Sequence, residues 1–178
     1  DEIKAEKLKF CTADPQGRVW GINWKKDIVT GDGLVSGNGV SIGIWLTSFV
    51  VAQDGRIWGV GNFNDVHTGF LNDKNWVQVS NQKMNKLALD NGTDFGASMT
   101  KDSQVYDTNQ GAKGTWQKAP SNIDTGKLVD LRSTPNGSIW ALNEKGDILE
   151  RQSGDSEWRV KKNTATSNIT GVKSFVVK

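Results

Sequence analysis

The side chains with the greatest capacity for recognition are eight tryptophans, set beside 6 Phe and one Tyr in a chain of 178 residues. An indole face stacks on the C–H face of a pyranose ring while Asn, Asp and Gln satisfy hydroxyls, so Trp beside short amides points to sugar binding. Trp76, Trp116 and Trp158 each open a strand after a polar turn, where they serve either as ligand contacts at a rim or as packing. Asn23, Asn62 and Asn143 end the strand before a turn and are candidates for ligand contact or for shaping that turn. Trp24 and Trp45 have no counterpart elsewhere in the chain, so they read as edge packing or as a unique site. Trp20, Trp58 and Trp140 lie mid-strand and read as packing.

Catalytic chemistry finds less support. His67 is the only histidine, which leaves no histidine metal cluster and no Ser-His-Asp relay, and it reads as a solvent-facing strand residue. Glycoside hydrolysis needs two carboxyls about 5–10 Å apart, and nothing in the sequence pairs Asp65, Asp73, Asp130 or Glu150. Seven of the 15 Asp residues sit beside Gly or Asn, as turns require. The stretch Asp107-Thr108-Asn109-Gln110-Gly111 lacks the distal Glu of a calcium loop. The glycines lead into strands and so form no phosphate cradle at a helix start. Cys11, beside Phe10, reads as a buried inert thiol, and a lone cysteine forms no internal disulfide. The expectation is a non-enzyme with no catalytic residue, metal or cofactor.

The elements that must position these residues come from a repeat. Pro15-Gln16-Gly17-Arg18-Val19-Trp20-Gly21-Ile22-Asn23, Gln53-Asp54-Gly55-Arg56-Ile57-Trp58-Gly59-Val60-Gly61 and Pro135-Asn136-Gly137-Ser138-Ile139-Trp140-Ala141-Leu142-Asn143 share a turn, a β-branched residue, a Trp and an alternating tail. A weaker copy puts Tyr106 at the Trp position. Asp-Gly and Asn-Gly between alternating apolar residues are strong hairpin signals. Trp58 to Trp76 and Trp140 to Trp158 are both 18 residues apart, which fits a second-strand and a fourth-strand Trp in one repeated unit. First strands fall near residues 8, 46, 94, 128 and 172, giving units at about 8–40, 45–80, 87–119 and 128–162 and a terminal strand at 172–178. With no Pro, Gly or Ser-rich linker, residues 1–178 read as one domain.

Four-stranded units of this period are best satisfied by radial arrangement. The expected fold is therefore an all-β propeller of four complete units plus a closing or partial strand, with a β-trefoil or β-sandwich as alternatives. At the same residues, Gly-Arg-Val-Trp-Gly-Ile-Asn at 17–23, Gly-Arg-Ile-Trp-Gly-Val-Gly at 55–61 and Gly-Ser-Ile-Trp-Ala-Leu-Asn at 137–143 resemble tectonin repeats. The resemblance implies a β-propeller and, for many members, a carbohydrate-binding lectin. Tectonin propellers usually carry about six blades of shorter repeat, a departure from the four units counted here.

The charge balance, 22 Lys+Arg against 20 Asp+Glu, removes the clustered cations that a nucleic-acid partner requires. No run of about 18 apolar residues offers a membrane-spanning helix. Expected partners are glycans or glycoconjugates bound at several repeated sites, with a protein-interaction propeller as the rival function and oligomerisation open. Asn91-Gly92-Thr93, Asn136-Gly137-Ser138 and Asn168-Ile169-Thr170 permit N-glycosylation in a secreted chain. The start at Asp1 rather than Met reads as processing or trimming; the compartment stays open, with an extracellular one favoured.

Overall fold

A computed structural model describes residues 8–31, 33–36, 38–80, 83–89, 96–100, 104–108, 117–118, 127–134, 138–152, 155 and 157–161. Trp116 and the terminal segment 172–178 lie outside them. The chain divides into two compact units at the junction of Lys83 and Met84.

Unit 1 holds two antiparallel sheets. The first contains β1 (Phe10–Ala13), β2 (Val19–Ile22) and β3 (Ile28–Thr30) in chain order, and is followed by the short helix α1 (Gly33–Ser36). The segment that would supply a fourth strand contributes only a bridge from Val40 to Ile28. The second sheet is a complete meander of β4 (Leu46–Val51), β5 (Ile57–Gly61), β6 (Val66–Gly69) and β7 (Val77–Ser80). The two sheets of this unit bury Trp20, Ile22 and Ile28 with Leu46, Phe49, Val51 and Ile57. Phe10 meets Phe49 at 5.4 Å between ring centroids, a tilted pair. Alternation along β1 then turns Cys11 outward, so the thiol is exposed rather than buried.

Unit 2 repeats the plan with β8 (Met84–Leu89), β9 (Gly96–Thr100), β10 (Val105–Thr108) and β11 (Gln117–Lys118) in one sheet, and β12 (Leu128–Ser133), β13 (Ile139–Asn143), β14 (Ile148–Arg151) and β15 (Arg159–Lys161) in the other. Its core joins Ala88, Met99 and Val105 to Leu128, Leu131, Ile139, Ala141, Leu149 and Trp158.

Register gives the repeat its physical basis. β4, β8 and β12 each carry an irregularity near their first residue, between Leu46 and Ser48, Met84 and Lys86, and Leu128 and Asp130. Counting from that bulge, Trp58, Ala97 and Trp140 occupy one position, opposite Val50, Ala88 and Arg132. The third copy therefore differs from its sequence reading. Tyr106 lies on β10, the third strand of its sheet, and β9 rather than β10 is the second strand. The 18-residue spacing also acquires a cause. Gly69 and Arg151 sit opposite Ile57 and Ile139 on the third strands, and the later tryptophans lie on them. Trp76 packs directly over the Cα of Gly69, while Trp158 takes the Arg151 guanidinium 5.1 Å from its ring centroid.

Phe49 is fully buried between the two sheets of unit 1. Phe49→Ala is expected to cost about 3–5 kcal/mol, read as a lowered urea midpoint; a loss under about 1 kcal/mol would contradict this packing.

Candidate functional site

The hairpin between second and third strands is built alike in the sheets of both units. Its first residue is Asn23, Gly61, Thr100 or Asn143, and its backbone N–H donates to the carbonyl four residues on, at 3.1, 2.8, 2.9 and 3.1 Å. The residue three places on lies at positive φ where described: Lys26 at 74°, Asn64 at 63° and Gly146 at 85°. A side-chain oxygen then closes the turn. Asn23 Oδ1 accepts from Asp27 N at 3.0 Å, Thr100 Oγ1 from Gln104 N at 3.1 Å, and Asn143 Oδ1 from Asp147 N at 2.8 Å. Asn23 and Asn143 are accordingly buried, and their geometry is that of an Asx turn.

Gly61 has no side chain to offer, and the Asp65 carboxylate fills the space its Cβ would take. Asp65 Oδ2 lies 2.6 Å from His67 Nε2, so His67 is a half-buried hydrogen-bond partner of Asp65 rather than a solvent-facing strand residue. Burial pushes the Asp65 carboxyl up, but the His67 hydrogen bond, a backbone hydrogen bond and the positive charges of His67 and Lys83 outweigh it, leaving it below the usual carboxylate value. Asp14 holds the opposite end of the first sheet in a similar way, accepting from Gln16 N, Arg18 N, Arg18 Nε and Trp20 Nε1 at 2.6–3.0 Å. Burial raises its carboxyl too, and the Trp20 and Arg18 bonds bring it down below the ordinary value.

With the hairpins held, their middle residues project as a rim. In unit 1 these are Trp24 and Lys25 in the first sheet and Asn62 and Phe63 in the second. Trp45 joins them, because Asn62 N donates to the Trp45 carbonyl at 2.9 Å just before β4 begins. Lys26 links the two sheets, its ammonium 3.0 Å from the Trp45 ring centroid, and the Lys25 ammonium lies 5.4 Å from that of Trp24. Trp24 and Trp45 are each 56% exposed and Phe63 is 71% exposed. Apolar rings this large are rarely left in water without a partner to cover them.

In the fourth sheet, the only one of unit 2 whose hairpin residues are described throughout, the same rim is polar. Glu144 N donates to the Lys127 carbonyl at 2.8 Å, which places Lys127 where unit 1 has Trp45, and Glu144-Lys145 where unit 1 has Trp24-Lys25 or Asn62-Phe63. The scaffold repeats while the exposed rings do not, and among the described residues every exposed aromatic belongs to unit 1. Of the sequence candidates, Asn62 stands exposed on the rim, Asn23 and Asn143 lie buried beneath it, Trp76 is partly buried over Gly69 and Trp158 is a core residue. Phe63 escaped sequence reasoning, although a Phe between two turn-forming Asn residues is a recognisable signal of an apolar side chain held in solvent.

The four carboxylates that the sequence offers for acid–base chemistry, Asp65, Asp73, Asp130 and Glu150, each have a structural partner. Asp130 is buried with Lys86 Nζ at 3.4 Å and Arg132 Nη2 at 3.1 Å. Glu150 pairs with Lys161 at 2.5 Å, and Asp73 accepts from Phe70 N at 2.7 Å.

The Asp65 arrangement predicts a pH effect. Its folded value lies below the unfolded one, so its contribution to stability is fully present above the unfolded carboxylate range, near about pH 4, and disappears as pH falls through the folded value. Asp65→Asn should flatten the fall of the urea midpoint across that interval, with Asp14 supplying the remaining slope. An unchanged slope would contradict the assigned Asp65–His67 contact.

Comparisons with known proteins place this geometry. The tectonin domain model matches residues 6–176. No curated protein matches the sequence. Among solved structures, YCF48 from Cyanidioschyzon merolae is similar with a TM-score of 0.60 and 14% identity, over 95% of this chain and 60% of that one. XC5397 from Xanthomonas campestris, described as a gluconolactonase, gives 0.61 and 14% over 83% and 59%. TolB from Acinetobacter baumannii gives 0.55 and 14% over 87% and 40%. The chain thus spans about 60% of the length of the first two. At these identities the likeness concerns the fold, which is a β-propeller. The chain belongs to the tectonin domain family.

Proposed function

We propose that this chain is a non-enzymatic carbohydrate-binding protein whose principal site is the unit 1 rim. The observation that carries the reading is the exposure of Trp24, Trp45 and Phe63 on one end of two adjoining sheets, with the exposed Asn62 amide among them. Flat rings offer stacking area for pyranose faces, and Asn62 and Asn64 offer donors and acceptors for hydroxyls. Hairpins tied by Asn23 and Asp65 hold these groups before a ligand arrives, which lowers the entropic cost of binding. Trp158, Asn23 and Asn143 act in this account as structural supports. Multivalent binding in this account comes from several copies of this rim, not from four equal sites in the described residues.

A second reading, protein interaction, draws on YCF48, which has been solved bound to the D1 peptide. An apolar rim takes a peptide as readily as a sugar, and free saccharide competes only in the first case.

The test is a glycan array followed by intrinsic fluorescence titration. Trp24→Ala and Trp45→Ala are each expected to weaken a hit by about tenfold, equivalent to ~1.4 kcal/mol. Thermal midpoints should hold, since both rings are exposed. Full binding by both variants would contradict this site.

A further inference from the structure

The charges on the rim narrow the ligand class, an inference that rests on the saccharide reading above. The stretches Trp24-Lys25-Lys26, Gly43-Ile44-Trp45 and Asn62-Phe63-Asn64 contain two lysines and no carboxylate. The nearest acids in sequence do not neutralise them from the surface. Asp65 is matched by His67, and Asp27 is half-buried at the foot of the hairpin that Asn23 closes. In unit 2 a carboxylate, Glu144, stands among the corresponding lysines.

Lys26 is the more informative of the pair. It occupies a left-handed position, φ 74°, where the equivalent hairpins use Asn64 and Gly146. Asn and Gly adopt this conformation readily and Lys does not, so nothing in the turn itself favours a lysine here. Its ammonium lies over the Trp45 ring, at 3.0 Å from the centroid. A sugar stacked beside that ring would bring its substituents against a cation whose hydration the indole has already reduced.

We infer that the unit 1 rim selects saccharides bearing an anionic group, a uronate carboxylate or a sulfate ester, and that Lys26 is the selecting residue. Charge-assisted hydrogen bonds from Lys26 and Lys25 to the anion add to stacking on Trp45 and Trp24.

The test uses an array that presents each glycan backbone in neutral, carboxylated and sulfated forms, with affinities for hits measured by fluorescence at two salt concentrations. Anionic forms should bind about tenfold or more tightly than their neutral counterparts, with the difference shrinking as salt rises. Lys26→Asn, the residue already used at 64, keeps the turn and should abolish that difference, while Lys26→Arg should preserve it. Equal binding of neutral and anionic forms, or an undiminished preference in folded Lys26→Asn, would overturn the inference and leave the saccharide reading standing. Binding of no glycan form, including the case where only an acidic peptide binds, would overturn both. Preference for carboxylate over sulfate, or the reverse, supports the inference and identifies the source of the charge.

Discussion

The second-to-third-strand hairpin governs what this chain can display. One backbone hydrogen bond across four residues recurs in every sheet, and in three of them a side-chain oxygen from the first residue closes the turn. Without that oxygen, backbone donors in the turn would face a half-buried environment unpaired, a cost of about 1–3 kcal/mol each. The second sheet lacks that oxygen: Gly61 has no side chain, and the Asp65 carboxylate, with His67 behind it, fills the space. Once the turn is held, its middle residues carry no structural duty. Those positions are the ones at which the sheets diverge, from Trp24-Lys25 through Asn62-Phe63 to Glu144-Lys145.

Packing elsewhere follows from the same economy of repeated parts. The first-strand bulge recurs in β4, β8 and β12 and sets the register of the following strand. Fourth-strand tryptophans cover a fixed point on the third strand, yet what they cover differs. Trp76 lies against bare backbone at Gly69, and Trp158 over the buried Arg151 guanidinium. A planar ring fits both because it demands a flat neighbour rather than a particular partner.

Most of the fold was legible from turn chemistry and alternation. Asp54-Gly55 between β4 and β5, and the equal spacing of the paired tryptophans, marked the second and fourth sheets because each marker has a local physical cause. The third sheet was misread where that marker is missing: Ala97 stands at the Trp position, and Tyr106, an aromatic on the next strand, took its place in the alignment. The site was legible only in part. Trp24 and Trp45 stood out as lacking counterparts, but Lys26 reaches from one sheet to the Trp45 ring beside the next, which sequence spacing does not encode. Asn23, Asn62 and Asn143 looked equivalent by position. Burial separates them, because Asn62 lies one residue beyond the tie that Asn23 and Asn143 make.

Likeness to propellers as different as a gluconolactonase and TolB shows how little this architecture says about chemistry. In the proposed reading function rests on the decoration of the rim, and the eight indole N–H groups make that decoration observable one by one. The most direct measurement is a two-dimensional ¹H–¹⁵N spectrum of the indole region, assigned by single Trp substitutions and recorded as a binding glycan is added. The account predicts that the Trp24 and Trp45 indole signals move, while Trp20, held by Asp14, and Trp158, buried in unit 2, stay in place. Movement of Trp76 or Trp158 with Trp24 and Trp45 unchanged would contradict it.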